Sequence, residues 1–345
     1  MDALSKTNLN KENGYVDGVK IIMALFVVCI HTNPLLSYSE EANFWLTEGL
    51  CRIAVPVFFV YAGLFLCNNI KSKGSKTVVS YVKRVLRMYT VWSILYLPIA
   101  IITYYRTEGK IDKVVAFKLI RDFLFVGFKQ YWYLLALAVG VCIVAFLYRK
   151  LGIKRTLVIC AALYVVSLLG NGYYGLYSNL ADQIPLLGKI CSALAHILVT
   201  TRNGFFFAPL YIAIGFFISE NEFSIKHPVV FVSVFAVVRW LEMLFAKNNH
   251  LAKGYAMMLS LIPISVIIVL WSLQKKSDNG NSKISWYLRK LSTLIYVTHT
   301  IVCFIVEPFI SNTLLLFICV SLVSLVISLC LIKLSSKIKC LRYLC

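Results

Sequence analysis

Tyr15-Val-Asp17-Gly-Val-Lys20-Ile-Ile-Met-Ala-Leu-Phe-Val-Val-Cys-Ile-His31-Thr-Asn-Pro34 decides the fold. From residue 19 to 37 this stretch is long and apolar enough to cross a bilayer as one helix. Two ionisable side chains interrupt it. Lys20 and His31 are eleven residues apart, about three turns plus 20°, so they share one face and stand about 16 Å apart along the axis. Such groups are costly within hydrocarbon, which marks them as functional candidates. The plainer alternative is a snorkelling lysine and a histidine hydrogen-bonded between helices.

Working outward, 60% of the residues are hydrophobic and only 14% are charged. The mean hydropathy is +0.79. These values exclude a soluble domain and predict an all-α, polytopic integral membrane bundle. Apolar runs predict about ten spans, near 19–37, 51–68, 86–105, 131–148, 156–171, 204–219, 228–246, 255–273, 292–310 and 312–334. The fifth and sixth are short. With the N-terminus inside, the basic clusters fall on the cytoplasmic side. They are Lys6 and Lys11; Lys71 through Arg87; Arg149 through Arg155; Lys226; Lys275 through Lys290; and Lys333 through Arg342. The first outer loop carries Glu40, Glu41 and Glu48. This positive-inside pattern predicts both termini in the cytoplasm. The expected organisation is a tail over 1–18, a membrane domain over 19–334 and a tail over 335–345, in a bacterial plasma membrane.

The net charge of +20 is then a matter of topology and anionic lipid, not nucleic acid, because the cations are spread over separate loops. Eleven cysteines without a CxxC pair read as apolar packing residues, neither a disulfide framework nor a metal site. No small-residue cleavage site follows the first apolar run, so it reads as an uncleaved span. Nucleotide P-loop, GxSxG, HExxH and EF-hand spacings are absent, which leaves intramembrane histidine and arginine to carry any catalysis.

Four further places could contribute. Cys51-Arg52-Ile-Ala-Val-Pro56-Val-Phe58-Phe59 opens the second span, and an arginine so near an apolar run calls for an anion or carboxylate. Arg84 and Arg87, three apart, project together at the start of the third span as a clamp for a phosphorylated ligand. Thr200-Thr-Arg202-Asn203-Gly-Phe-Phe-Phe-Ala-Pro209 brings polar groups beside an aromatic wedge, suited to a sugar or a carboxylate. In the ninth span Ser292 through Tyr296 to His299 sets a second histidine near mid-membrane, facing the bundle interior. Arg239 and Glu242 read as a self-neutralising pair. Gln130-Tyr-Trp-Tyr133 reads as an interfacial aromatic belt.

Together these residues resemble the acyltransferase-3 family along almost the whole chain. Asp17-Gly-Val-Lys20 with His31 is similar to its opening motif of a basic residue, ten residues and histidine. Arg52 to Phe59 with Gly63 is similar to its second-helix motif, and Arg84-Val-Leu-Arg87 to its paired arginines. Trp132, Arg202-Asn203-Gly204 with Gly215, and Ser292 to His299 match later landmarks. The family usually has arginine where this chain has Lys20, which keeps the charge and loses the bidentate fork. Within the family, the stretches Ile30 to Tyr38 and Thr201 to Pro209 resemble the membrane half of the membrane-bound serine racemases of vancomycin resistance. This chain ends at Cys345, so racemisation is not expected.

The resemblance implies O-acyl transfer, usually of acetyl, from cytoplasmic acetyl-CoA to a hydroxyl of a surface or lipid-linked glycan, without a metal. By the same resemblance His31 is general base or acyl carrier and Lys20 assists it. Arg84 and Arg87 hold the donor, and Arg52, Arg202, Asn203 and His299 face the acceptor. Two rivals remain: a carrier for a small amino acid such as serine, for which no inverted repeat is visible, and a family member without catalysis acting as scaffold or sensor.

Overall fold

The computed structural model describes residues 13–184, 200–275, 282–338, 341 and 344. Among them every regular element is helical, and the chain is a polytopic helical membrane protein. Helix α1 (Gly14–Thr32) starts where the Asn13 side chain accepts from the Tyr15 amide. It stops where Asn33 turns left-handed, at φ 48°, ahead of Pro34. It therefore begins and ends earlier than the hydropathy run suggests, because the capping residues and not the apolar residues set its limits. A short α2 (Glu40–Phe44) passes through a π turn (Trp45–Leu50) and a 3-10 turn (Cys51–Ile53) into α3 (Ala54–Lys73). The 33-residue α4 (Lys76–Glu108) follows, and then α5 (Lys113–Arg121). Asp112 caps α5; hydrogen bonds from the Val115 amide, then Lys110, hold its carboxyl below the usual range.

Helix α6 (Trp132–Leu169) reverses at Gly152, whose φ of 74° and ψ of 172° are not helical. It thus supplies both the fourth and the fifth spans. The remaining elements are α7 (Tyr174–Gln183), α8 (Ala208–Glu220), α9 (Pro228–Asn248), α10 (Leu261–Gln274), α11 (Ser282–Val306) and α12 (Thr313–Lys337). Seven helices among the described residues are long and apolar enough to cross a membrane, with α6 counted once, and α8 and α10 are shorter apolar helices. The eighth span, expected from 255, is helical only from Leu261. Lys6, Lys11, Lys189, Lys276, Lys339 and Arg342 lie outside the described residues.

Contacts between helices fix their directions. On α1 and α11, Asp17 meets Ser285 and His31 meets His299, so the two run parallel. Phe59 meets Phe207 and Asn68 meets Ser219, so α3 and α8 run parallel. The first half of α6 follows them, with Trp132 against Phe207 and Tyr148 against Glu220. The second half returns, with Tyr164 on Tyr211 and Ser167 on Thr201. Spans one and nine thus share a direction, as do two, four and six, which is the parity that alternate crossing of a bilayer requires. The α3–α8 crossing is closed by Gly63 and Gly215. A Cβ on Gly63 would fall on the Ile212 carbonyl and one on Gly215 on the Val60 carbonyl, so only glycine lets the backbones meet. The bundle turns an apolar exterior outward, with Val230, Val234, Val237 and Leu241 exposed along α9, as a lipid-facing helix requires.

Candidate active site

At one end of the bundle a cavity of about 420 Å³ is lined by Lys20, Arg84, Arg87, Arg289 and Lys290, with no acidic residue in its wall among the described residues. Arg84, Arg87 and Arg289 are exposed and form its mouth; Tyr133 and Tyr296 are buried and form its floor. The N-terminal halves of α1, α4 and α11 deliver these cations, since each helix begins at this end. Beneath the wall lies the buried carboxylate of Asp17. It is 3.5 Å from Lys20 Nζ and 3.9 Å from Arg289 Nε, and it accepts from the Ser285 hydroxyl. Lys20 Nζ also stands 4.6 Å from the Phe65 ring centre and 5.3 Å from that of Tyr61, a cation–π arrangement. Arg289 brings to the same carboxylate the guanidinium that Lys20 does not provide.

Further into the bundle, the His31 and His299 rings lie 5.2 Å apart. His299 is fully buried. Its Nδ1 is 3.2 Å from the Ile295 carbonyl, which can only accept, so Nδ1 carries the proton and Nε2 of the neutral ring is left with its lone pair. That Nε2 is buried and, among the described residues, has no hydrogen-bond partner. No side-chain hydrogen bond to His31 is present among the described residues. The histidine end of α11 is locked to the segment before α6. Tyr296 donates to the Gln130 carbonyl, Gln130 donates to Thr300, and Tyr131 donates to the Val297 carbonyl at 2.8 Å. Gln130, Tyr131 and Tyr133 are buried. This overturns the interfacial-belt reading: Gln130 and Tyr131 bond to α11, and the Tyr133 ring packs against Phe59 and Tyr296.

On the far side of the histidines, the Arg202 guanidinium lies 4.7 Å over the Trp132 ring. Arg52, Lys129 and Arg202 are within electrostatic reach of His31. Arg52 has found a carboxylate within its own chain segment, Glu48, with one bond at 3.0 Å. Asn203 accepts from the Phe205 and Phe206 amides at 2.9 and 3.0 Å and donates to the Thr200 carbonyl. It shapes the turn that carries Arg202. Arg239 and Glu242 do not form the expected pair. Arg239 binds the carbonyls of Glu48, Gly49 and Tyr255, while Glu242 accepts from Tyr173 and from the Leu259 and Ser260 amides. Each ties an irregular segment to α9, where backbone groups outnumber ladder partners.

The structure thus brings Lys20, Arg84 and Arg87 to one cavity, joins His31 to His299, and sets Arg52 and Arg202 on the opposite side of the pair. Sequence reading passed over Arg289 and Lys290 as part of this site. The signal was present: Arg289 precedes Tyr296 by seven residues, two turns, and so shares its face.

A polytopic membrane bundle with a cationic, aromatic-floored cavity behind a half-buried His31 and a buried His299 defines the class. The chain belongs to the acyltransferase-3 family, whose acyltransferase domain matches residues 13–333. Among curated proteins, two amino-acid racemases of Enterococcus faecalis are similar to it. One is 28% identical over 96% of this chain and 46% of its own length, the other 29% identical over 96% and 47%. A serine/alanine racemase of Enterococcus gallinarum is 28% identical over 61% of this chain and 30% of its own. The chain spans less than half the length of these relatives. No solved structure matches it.

Proposed function

We propose that the protein is a bacterial plasma-membrane O-acetyltransferase that takes acetyl from cytoplasmic acetyl-CoA and places it on a hydroxyl of a surface or lipid-linked glycan. The observation that carries this reading is the cavity whose wall holds five cations and no acid and whose floor tyrosine, Tyr296, lies 6.1 Å from His299. Guanidinium groups at the mouth suit the phosphates of a coenzyme A, since they bind such oxygens in bidentate fashion. The aromatic floor suits the thioester end of the pantetheine arm. His31 removes the proton of the acceptor hydroxyl; the oxygen attacks the thioester carbonyl; the carbon–sulfur bond breaks, and the proton passes from His31 to the departing thiolate. The products are an acetyl ester and free CoA. Arg202 on Trp132, with Arg52, orients the acceptor and offsets negative charge on the attacked carbonyl. Lys20 contributes charge beside the donor.

Membranes containing the full chain, given acetyl-labelled acetyl-CoA, are expected to gain label in a glycan fraction. The same membranes with His31→Ala are expected to gain none, while insertion is preserved. A second reading, transport of a small amino acid such as serine, draws on the names of the racemases this chain is similar to. Uptake of labelled serine by proteoliposomes without any acetyl-CoA, together with no label transfer, would decide for it.

A further inference from the structure

On the far side of the histidines three parallel helices begin, and a cation stands in the segment that enters each. Arg52 lies two residues before α3, Lys129 three before α6 and Arg202 six before α8. All three are within electrostatic reach of His31. Glu48 is the acid that Arg52 has already taken. Glu307, exposed, shares with Lys129 the surroundings of Cys303, but no ion pair joins the two among the described residues. Arg202 bonds Thr200 through its backbone amide. Its guanidinium rests on the Trp132 ring at 4.7 Å and, among the described residues, meets no hydrogen-bond acceptor. Such a group is suited to a carboxylate or a phosphate. Lys129 is exposed and has a φ of 44°, in the left-handed region that residues with a side chain seldom enter. Backbone of this kind persists where its surroundings fix it. Here they do: a Cβ on Gly127 would fall 2.4 Å from the Trp132 Cα, while Gln130 and Tyr131 are bonded to α11.

We propose that the acceptor carries an anion close to the hydroxyl that is acetylated, and that Lys129 and Arg202 bind it. The inference rests on the acyl-transfer reading given above. His31 becomes an imidazolium when it takes the proton of the hydroxyl, and a further positive charge among three cations is opposed by Coulomb repulsion. An anion brought by the acceptor offsets that repulsion, so the base is assisted by an acceptor of this class. A neutral sugar supplies no such charge. The anion is either a carboxylate on the sugar or the phosphate that links a glycan to its lipid, since both present oxygens to a guanidinium and an ammonium.

The test measures binding of three radiolabelled probes to the purified full chain: methyl glucoside, methyl glucuronide and glucosyl methyl phosphate. They share one sugar ring and carry no charge, a carboxylate and a phosphodiester. Free CoA is kept saturating, so that no probe is read at the cationic cavity. CoA binding and transfer of acetyl label in membranes are measured in parallel. At least one anionic probe is expected to bind wild type about tenfold more tightly than the neutral one, the value of a hydrogen bond to a charged group. The tighter of the two assigns the anion to a sugar acid or to the lipid linkage. Lys129→Gln and Arg202→Gln should each lose most of that preference, while Lys129→Arg and Arg202→Lys keep it. If Lys129→Gln does not assemble, as judged by gel filtration in detergent, the two Arg202 variants carry the comparison. Anionic probes bound no more tightly than the neutral one, within twofold, overturn the proposal, and label transfer in the same preparation leaves the acyltransferase standing. A preference that survives both glutamine variants overturns the assignment to Lys129 and Arg202. A wild type that binds no CoA and transfers no acyl group overturns the acyl-transfer reading and this inference together.

Discussion

The two ends of the bundle arrange their cations differently. At the far end each of the arginines Arg52 and Arg239 is answered from within the chain, Arg52 by Glu48 and Arg239 by three backbone carbonyls. Lys247 there reaches Glu41 at 2.8 Å. At the cavity end five cations share one wall, and Asp17, set beneath it, reaches Lys20 and Arg289. Cations gathered around one cavity add their fields there, and the summed potential attracts an anion from outside. The difference teaches where to look for a ligand. An arginine held singly ties two segments of the protein together, whereas cations converging on one cavity are also placed to meet an anion from outside.

The largest effect should come from the group between these ends. His31→Gln is expected to lower transfer from acetyl-CoA by about 10²- to 10⁴-fold, the range for loss of a positioned general base, with CoA affinity unchanged within twofold. A loss of affinity equal to the loss of rate would instead place His31 in donor binding. The next effect belongs to the cavity. Arg84→Gln and Arg87→Gln are each expected to weaken CoA binding by about 1.5–3 kcal/mol, the value of a hydrogen bond to a charged group, or roughly 10- to 100-fold. Rates at saturating donor should change little, and the defect should grow as salt is lowered towards conditions where wild-type phosphate attraction is strongest. An affinity insensitive to both substitutions would remove the contrast between the two ends.

Packing gives the third. Gly215→Val is expected to destabilise the bundle by about 1–3 kcal/mol, as overpacking does, read as a fall in the thermal midpoint in detergent. The Cβ meets backbone atoms of α3 that have no room to move. An unchanged midpoint would mean that the α3–α8 crossing can part without loss.

Much of this contrast was legible before any coordinates. Apolar run lengths found the helical segments, because in a bilayer every backbone group must be satisfied within its own helix. The Lys20–His31 and Arg84–Arg87 spacings placed side chains on shared faces, because 100° per residue is a property of the backbone. What periodicity cannot carry is the neighbour across an interface. Nothing in the spacing of His299 tells that it meets His31. The i, i+3 relation of Arg239 and Glu242 suggested a pair that the loops around Glu48 and Leu259 outbid with carbonyls and amides. Gln130 and Tyr131 looked interfacial by type, yet their partners are on α11, more than 160 residues away in the chain. The Arg52–Glu48 pair was hidden for a different reason: the turn between them is partly π and partly 3-10, a geometry that hydropathy does not register.

That pair offers the smallest effect and the finest probe of the comparison. Its side chains are 20% and 23% exposed, and ion pairs that accessible contribute only about 0.2–1 kcal/mol. Glu48→Gln is therefore expected to shift the thermal midpoint slightly and leave CoA affinity unchanged. If Arg52 were only a strut, exchanging the two charges, Glu48→Arg with Arg52→Glu, would restore both stability and transfer. The expected outcome is different. Stability should return, because the i, i+4 contact is reformed, while transfer stays low, because a carboxylate now stands within electrostatic reach of His31 in place of the guanidinium. Recovery of transfer along with stability would assign Arg52 to the scaffold and leave Arg202 as the arginine that meets the acceptor.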